Sequence, residues 1–276
     1  ENTAVGYQAA FLNTTGTGIV AVGQQALRSN TTANNNTALG YSAAYANTTG
    51  HSNVAVGQAS FDANTTGAQN VAVGRHALGA NTTANLNTAV GNEALFANTT
   101  GFENVAIGAQ ALDANTTGYR NTAIGALDTL GANTTGYYNT AVGRESLRFN
   151  TTGFENVAFG VTTLEGNTTG TKNTALGTYA LRNNTTGAAN TMVGYQAGFN
   201  NATSPSNTIV GFRAGETNTS TNGYNTFVGS YAGYSNSSGY NNTFIGARTG
   251  GLAAGYYVTT GYKNTIIGGY DGNQLG

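Results

Sequence analysis

The side chains able to move a proton, hold a metal ion or attack a substrate are few and scattered in this sequence of 276 residues. Cysteine is absent, and the only two histidines, His51 and His76, fall at different places in the repeat described below, so neither a His–His metal pair nor a Ser-His-Asp arrangement is in prospect. The nearest approach to paired carboxylates is Glu103 and Glu155, three repeats apart, or roughly 14 Å if each repeat adds one strand spacing, beyond what glycoside hydrolysis uses. Gly268-Gly269-Tyr270-Asp271-Gly272 is a single poor imitation of the repeated calcium-binding pattern of solenoids, and no Gly-rich stretch carries the lysine of a phosphate-cradling loop. The expectation is a protein that is not an enzyme and holds no metal or cofactor.

Three recurring features could still do chemistry at a surface. Asn13, Asn30, Asn47, Asn64, Asn81, Asn98, Asn115, Asn133, Asn150, Asn167 and Asn184 are each followed by Thr-Thr, which makes every one formally an N-glycosylation acceptor. The same triplet makes a good turn, because Asn tolerates left-handed backbone and Thr hydroxyls bond nearby backbone groups. The threonine rows resemble ice-binding faces on solenoids, but two adjacent hydroxyls on an extended stretch point to opposite sides, so only one would face water. Just after the turn come Phe102, Tyr119, Tyr137, Phe154, Tyr224, Tyr240 and Tyr262, a stripe able to stack on sugar rings, on a partner or on itself.

The bulk composition narrows the field further. Only 8% of residues are charged, against about 25% usually, and the formal net charge is -1 with the ten Lys and Arg scattered, which leaves no basic face for nucleic acid. No run reaches the roughly 18 apolar residues of a membrane helix, so no membrane insertion is expected, and no secretory leader is recognisable. The chain starts within a repeat, at Glu1-Asn2-Thr3-Ala4-Val5-Gly6, and is read as part of a longer protein.

What positions these residues is an internal repeat. An apolar-Gly pair recurs with its anchor glycine at Gly6, Gly23, Gly40 and on to Gly268, and of the 15 intervals twelve are 17 residues, two are 18 and one is 22. Helical repeats need roughly 33 residues or more, whereas short β-branched segments between Gly and Asn turns read as strands. The prediction is an all-β, parallel β-solenoid of about sixteen 17-residue coils, a rod of roughly 75 Å at about 4.8 Å per coil. It is read as one repeat domain over 1–276, with regular coils over 1–191 and variant coils over 192–276. The extra residues are expected in turns, around Asp128 and Thr221.

Aligned as columns, the repeats show where packing is constrained. The residue before each anchor glycine is Val, Ile, Leu or Phe, and the residue two earlier is Thr or Val. Between them, on the opposite face of the strand, stands Ala from Ala4 to Ala175, then Met192, Ile209, Phe227, Phe244 and Ile266. Four residues after the glycine, Leu27, Leu78, Leu95, Leu112, Leu147, Leu164 and Leu181 give way to Gly198, Gly215, Gly233 and Gly250. Small-plus-large has become large-plus-small, and a close-packed interior tolerates only such volume-conserving exchange, so the two columns are expected to touch in one core. The Val and Thr columns then lie outside that core. A strand apolar on both faces is normally buried on both, so self-association is expected to cover the second face. A cyclic homotrimer fits that requirement best. A further column, four before the anchor, is Asn in fifteen of sixteen coils, with Ile19 the exception, and stacked amides at the coil spacing predict a ladder.

Asn53-Val54-Ala55-Val56-Gly57, Asn70 to Gly74 and Asn104 to Gly108 resemble the head repeats of YadA-like trimeric autotransporter adhesins. The fuller unit, Asn121 to Gly125 followed by Asn133 to Gly136, is similar to repeats in phage tail fibres. The likeness spans nearly the whole chain but departs in period, 17 where the adhesin heads have about 14. It implies a left-handed, trimeric β-roll serving as the structural and adhesive shaft of an extracellular fibre, on a virion or a cell surface, that could meet a host-surface glycan. A self-assembling end-to-end filament coated by glycans on the Asn-Thr-Thr turns, and an ice- or glycan-binding solenoid, are the alternatives.

Overall fold

Three residues in each repeat favour extended backbone, being β-branched or apolar at both ends, and the anchor glycine that follows interrupts them. A computed structural model, which describes residues 1–248 and 253–269, forms a strand at each of these sixteen places, and no helix occurs among the described residues. The chain comprises two compact units. Glu1–Tyr138 holds β1 (Asn2–Val5) to β8 (Thr122–Ile124), and Asn139–Gly276 holds β9 (Thr140–Val142) to β16 (Thr265–Ile267). Within each unit successive strands pair in parallel and in register. Thus Val54, Ala55 and Val56 of β4 (Val54–Val56) lie beside Val71, Ala72 and Val73 of β5 (Val71–Val73). Each unit is therefore a parallel β-solenoid with one coil per repeat, the predicted architecture.

The strands are short, and the arcs between them are hydrogen-bonded from coil to coil as well, which meets the need of buried backbone groups for partners. The direction of donation alternates: Gln25 N–H reaches back to the Tyr7 carbonyl at 2.8 Å, whereas Leu27 N–H reaches forward to Ala43 at 3.0 Å. Left-handed residues accompany this alternation at three places per coil, as at Gln25 (φ 62), Leu27 (φ 49) and Asn35 (φ 59). Such backbone disfavours non-glycine residues by about 1–2 kcal/mol each, yet Gln, Leu, His, Glu, Arg and Tyr all occupy it, so residue type gave no warning. At the anchor itself glycine is required. Gly57 has φ +129, and a Cβ there would sit 2.6 Å from the Gly74 carbonyl of the next coil.

The core sits where the column exchange placed it. From Ala21 onward the central residue of every strand is buried, and so are Leu27, Leu78, Leu95, Leu112, Leu147, Leu164 and Leu181. Where the central residue is large, the facing glycine has no room for a side chain. A Cβ on Gly198 would lie 2.7 Å from Met192 Sδ, one on Gly215 2.7 Å from Ile209 Cδ1, and one on Gly233 2.7 Å from the Phe227 ring. One member of the glycine column needs correction. Gly250 lies outside the described residues, and the glycine against the Phe244 ring is Gly255 (φ +62), because the extra residues of the long coil precede it. By the same logic the 18-residue coil after Gly125 buries Leu130 in the leucine column, one place late.

Because the leucine column is left-handed, replacing Leu by Gly relieves backbone strain while it empties volume. Leu112→Gly should destabilise by somewhat less than the usual 2–5 kcal/mol for core truncation, and Ala106→Phe should overpack at about 1–3 kcal/mol. The double variant reproduces the Phe227–Gly233 arrangement and should recover part of both losses in thermal unfolding. Strict additivity would show that the columns do not touch.

Candidate functional site

Asparagine stacked at a coil spacing brings a donor and an acceptor to the same place in every coil, and the two Asn columns use this differently. In the Asn-Thr-Thr column, Nδ2 donates to Oδ1 of the Asn one coil earlier, as from Asn98 to Asn81 at 3.1 Å, and to a carbonyl three residues on, Gly101 at 2.9 Å. In the column before the strands, Oδ1 accepts both the backbone N–H and the Nδ2 of the next Asn, as at Asn87 from Asn104 at 2.9 and 3.2 Å. That column's own Nδ2 reaches forward to the carbonyl already used by the first, Asn87 to Gly101 at 2.9 Å. The same sharing occurs at Gly50, Gly67, Gly118 and Gly170, so one carbonyl per coil ties two ladders together.

This geometry decides what the Asn-Thr-Thr triplets offer in the folded coil. Asn30, Asn47, Asn64, Asn81, Asn98, Asn115, Asn133, Asn150, Asn167 and Asn184 are fully buried, and Asn13 half so. The amide nitrogen that would carry a glycan points inward and donates to neighbouring coils, so attachment would have to precede folding. Beyond the exposed Thr14, the first Thr of each triplet is half-buried, with its hydroxyl donated to the next coil's backbone, as from Thr48 to the Thr65 carbonyl at 2.9 Å. Only the second, as Thr49, Thr66 and Thr83, is exposed, giving one hydroxyl row where two adjacent ones occur in sequence. From Asn184 onward in the second unit the Asn-Thr-Thr ladder fails. Asn184 Oδ1, Asn201 Oδ1, Asn218 Nδ2 and both amide atoms of Asn236 are buried with no partner among the described residues.

The aromatic stripe stacks chiefly on itself. Phe102, Tyr119 and Tyr137 form a column with ring centroids 5.0 Å apart and planes within 6°, and Tyr240 lies on Tyr262 at 5.2 Å. Ring faces turned to one another are not free for a sugar, which leaves edges to the solvent. Phe154 keeps its expected place in the repeat of the second unit. Tyr224 does not belong to the stripe. Counted back from the next anchor it stands one residue later than the others, in the left-handed column (φ 58) shared by Arg120 and Tyr138. Arg120 there ion-pairs with Glu103 at 2.6 Å and bonds Tyr138.

Two surfaces remain. One is the outer strand face, where the residues flanking each buried centre stay half-buried or exposed, including Leu39, Ile107, Ile124, Leu176, Ile245 and Phe159, the last 58% exposed. The other was missed in the sequence. From the Gly177 coil onward the variable positions two and five after the anchor stand side by side and carry an aromatic or an arginine in each coil, as Tyr179 with Arg182, Phe199, Arg213, and Tyr231 with Tyr234. Tyr231 and Tyr234 are 5.5 Å apart, Tyr234 stacks on Tyr256 at 5.1 Å, and Arg213 lies over both Tyr231 and Tyr234. The recurrence of Tyr, Phe and Arg at those positions was visible, but nothing in residue order alone joined the two columns.

No group of three or more His, Asp or Glu among the described residues is placed to hold a metal. His51 meets Ser52, and His76 sits edge-on to Phe96. Tyr270, Asp271 and Gly272 of the calcium-like motif lie outside the described residues. In the first unit Asp113 is the most crowded acid: burial, then the neighbouring charges of Asp128 and Glu93, raise its carboxyl above the usual range. Comparison of the chain with family models, with curated proteins and with solved structures finds no match.

Two outcomes follow. Asn98→Ala removes a donor and an acceptor from a dry ladder, leaving Asn81 Oδ1 and one bond of Asn115 Nδ2 unmet, and should cost about 1–3 kcal/mol for each group left unpaired in denaturant unfolding. Asp113→Asn should stabilise at neutral pH. A carboxyl with a raised folded pKa favours folding when protonated and opposes it as pH rises through that value, so the gain over wild type should shrink as pH falls through the carboxylate range.

Proposed function

We propose that this chain is a non-catalytic structural segment of an extracellular fibre, in which copies associate through the outer faces of their strands, as a homotrimer. The observation that carries the reading is the division of each strand: its inner residue is buried, the amide columns and most of the backbone between strands are bonded from coil to coil, and what stays open is a column of Val, Ile, Leu and Phe beside one of Thr and Val. Contiguous apolar surface repeated at every strand is what a monomer rarely leaves in water. A closed cyclic arrangement buries one such face per copy without leaving a free one. The likeness of the Asn-Val-Ala-Val-Gly units to YadA-like adhesin heads and to tail-fibre repeats supports a surface fibre on a virion or cell. Nearly identical coils suit a spacer better than a pocket.

Mass in solution tests this. The expected species is three times the 28.0 kDa chain, and Val73→Asp, at a half-exposed outer position of β5, should dissociate it while coil structure persists by circular dichroism. A monodisperse 28.0 kDa monomer at all concentrations would overturn the reading.

A further inference from the structure

The second unit carries the aromatic and arginine surface that the fibre reading leaves unused. Three guanidinium groups are interleaved with rings: Arg182 lies 5.5 Å from the Tyr179 centroid, Arg213 5.6 Å from Tyr231, and Arg248 5.0 Å from Tyr231 and 5.8 Å from Tyr256. Glu165 takes one bond from Arg182 at 2.7 Å, and Glu216 accepts two from Arg213. Arg248 has no carboxylate within ion-pair reach among the described residues, so three cations face two anions. No lysine interrupts these columns. Arginine and tyrosine so arranged are ordered before any ligand arrives, which lowers the entropy lost on binding.

What this surface offers is mostly donors. Ring faces are already covered, Tyr179 by Arg182, Tyr231 by Arg213 and Arg248, and Tyr234 and Tyr256 by each other within 10°, which leaves ring edges, the electropositive part of the quadrupole. Arg213 donates to the Tyr234 hydroxyl at 3.3 Å, so that hydroxyl's own proton remains to be given away. Burial, with Glu216 nearby, raises the Tyr234 pKa and keeps that proton in place. Positive edges, phenolic protons and guanidinium N–H groups complement an anion rich in acceptors.

We propose that the surface formed by Tyr179, Arg182, Arg213, Tyr231, Arg248 and Tyr256 binds a carboxylated polysaccharide running along the stacked coils. Spacing separates this ligand from an acidic peptide. The guanidinium groups recur in alternate coils, about 9.6 Å apart, close to the span of two sugar rings, whereas side chains on one face of an extended peptide recur about every 6.7 Å.

The test uses the full chain and alginate, a polymer of uronic acids, with dextran and poly-glutamate of similar length as comparisons. Alginate should bind, more tightly at low than at physiological salt. The double variant Arg182→Gln, Arg248→Gln should weaken binding by about tenfold or more with an unchanged unfolding transition, while Arg75→Gln in the first unit leaves it intact. Val73→Asp should also leave it intact, because the outer strand face is a different surface, so failure of self-association and failure of this site read separately. No binding to alginate, equal binding of dextran, equal binding of poly-glutamate, or an unaffected double variant would each overturn the proposal.

Discussion

A buried primary amide is costly unless its nitrogen and oxygen both find partners, and through most of this chain the partners are supplied chiefly by the adjoining coils. That requirement keeps successive coils in register. The column that runs Asn139 and Asn156 through Asn207, Asn225 and Asn242 to Asn264 keeps its amide-to-backbone bonds across the second unit, including the 18- and 22-residue coils. Extra residues are absorbed in arcs without breaking these bonds, so Asn242 Nδ2 still reaches the Gly261 carbonyl at 2.7 Å across the 22-residue coil. The first ladder is already broken at Asn184 and Asn201, ahead of the residue added between Asn218 and Asn225, and the second holds across that coil.

Around this constraint the apolar core is free to vary as long as volume is conserved. Alanine with leucine and phenylalanine with glycine are alternative fillings of one space within a coil, and both occur in the same backbone. The left-handed leucine column shows which term dominates. About 1–2 kcal/mol of conformational strain per leucine is accepted because full burial of that side chain is worth about 1.5–3 kcal/mol and an unfilled cavity would cost more.

Much of this was legible in the sequence, since a repeat lets one chain serve as its own alignment. The strands, the anchor glycine, the core columns and an Asn ladder all followed from period and residue type. What escaped has physical causes. Gly250 and Gly255 could not be told apart because the place of an insertion depends on the arc that absorbs it. Tyr224 was misplaced by the same counting. The burial of Asn98 and its equivalents was hidden because Asn-Thr-Thr is as good a description of an exposed turn as of an amide turned inward. The pairing of positions two and five after the anchor, which creates the Tyr–Arg surface, depends on a left-handed backbone that residues such as Gln25 and Arg213 do not advertise.

The amide atoms left without partners at Asn184, Asn201, Asn218 and Asn236 give the second unit a mechanical character. A pull along the stacking direction loads the coil interfaces in series, so every interface carries the same force and the weakest one sets the limit. Interfaces that hold both amide ladders resist together, whereas those between Asn184 and Asn236 have lost one of the two. Strain would concentrate there first, peeling a few coils while the doubly laddered ones on the Asn139 side stay closed, in the manner of a fuse that lengthens before the cable parts.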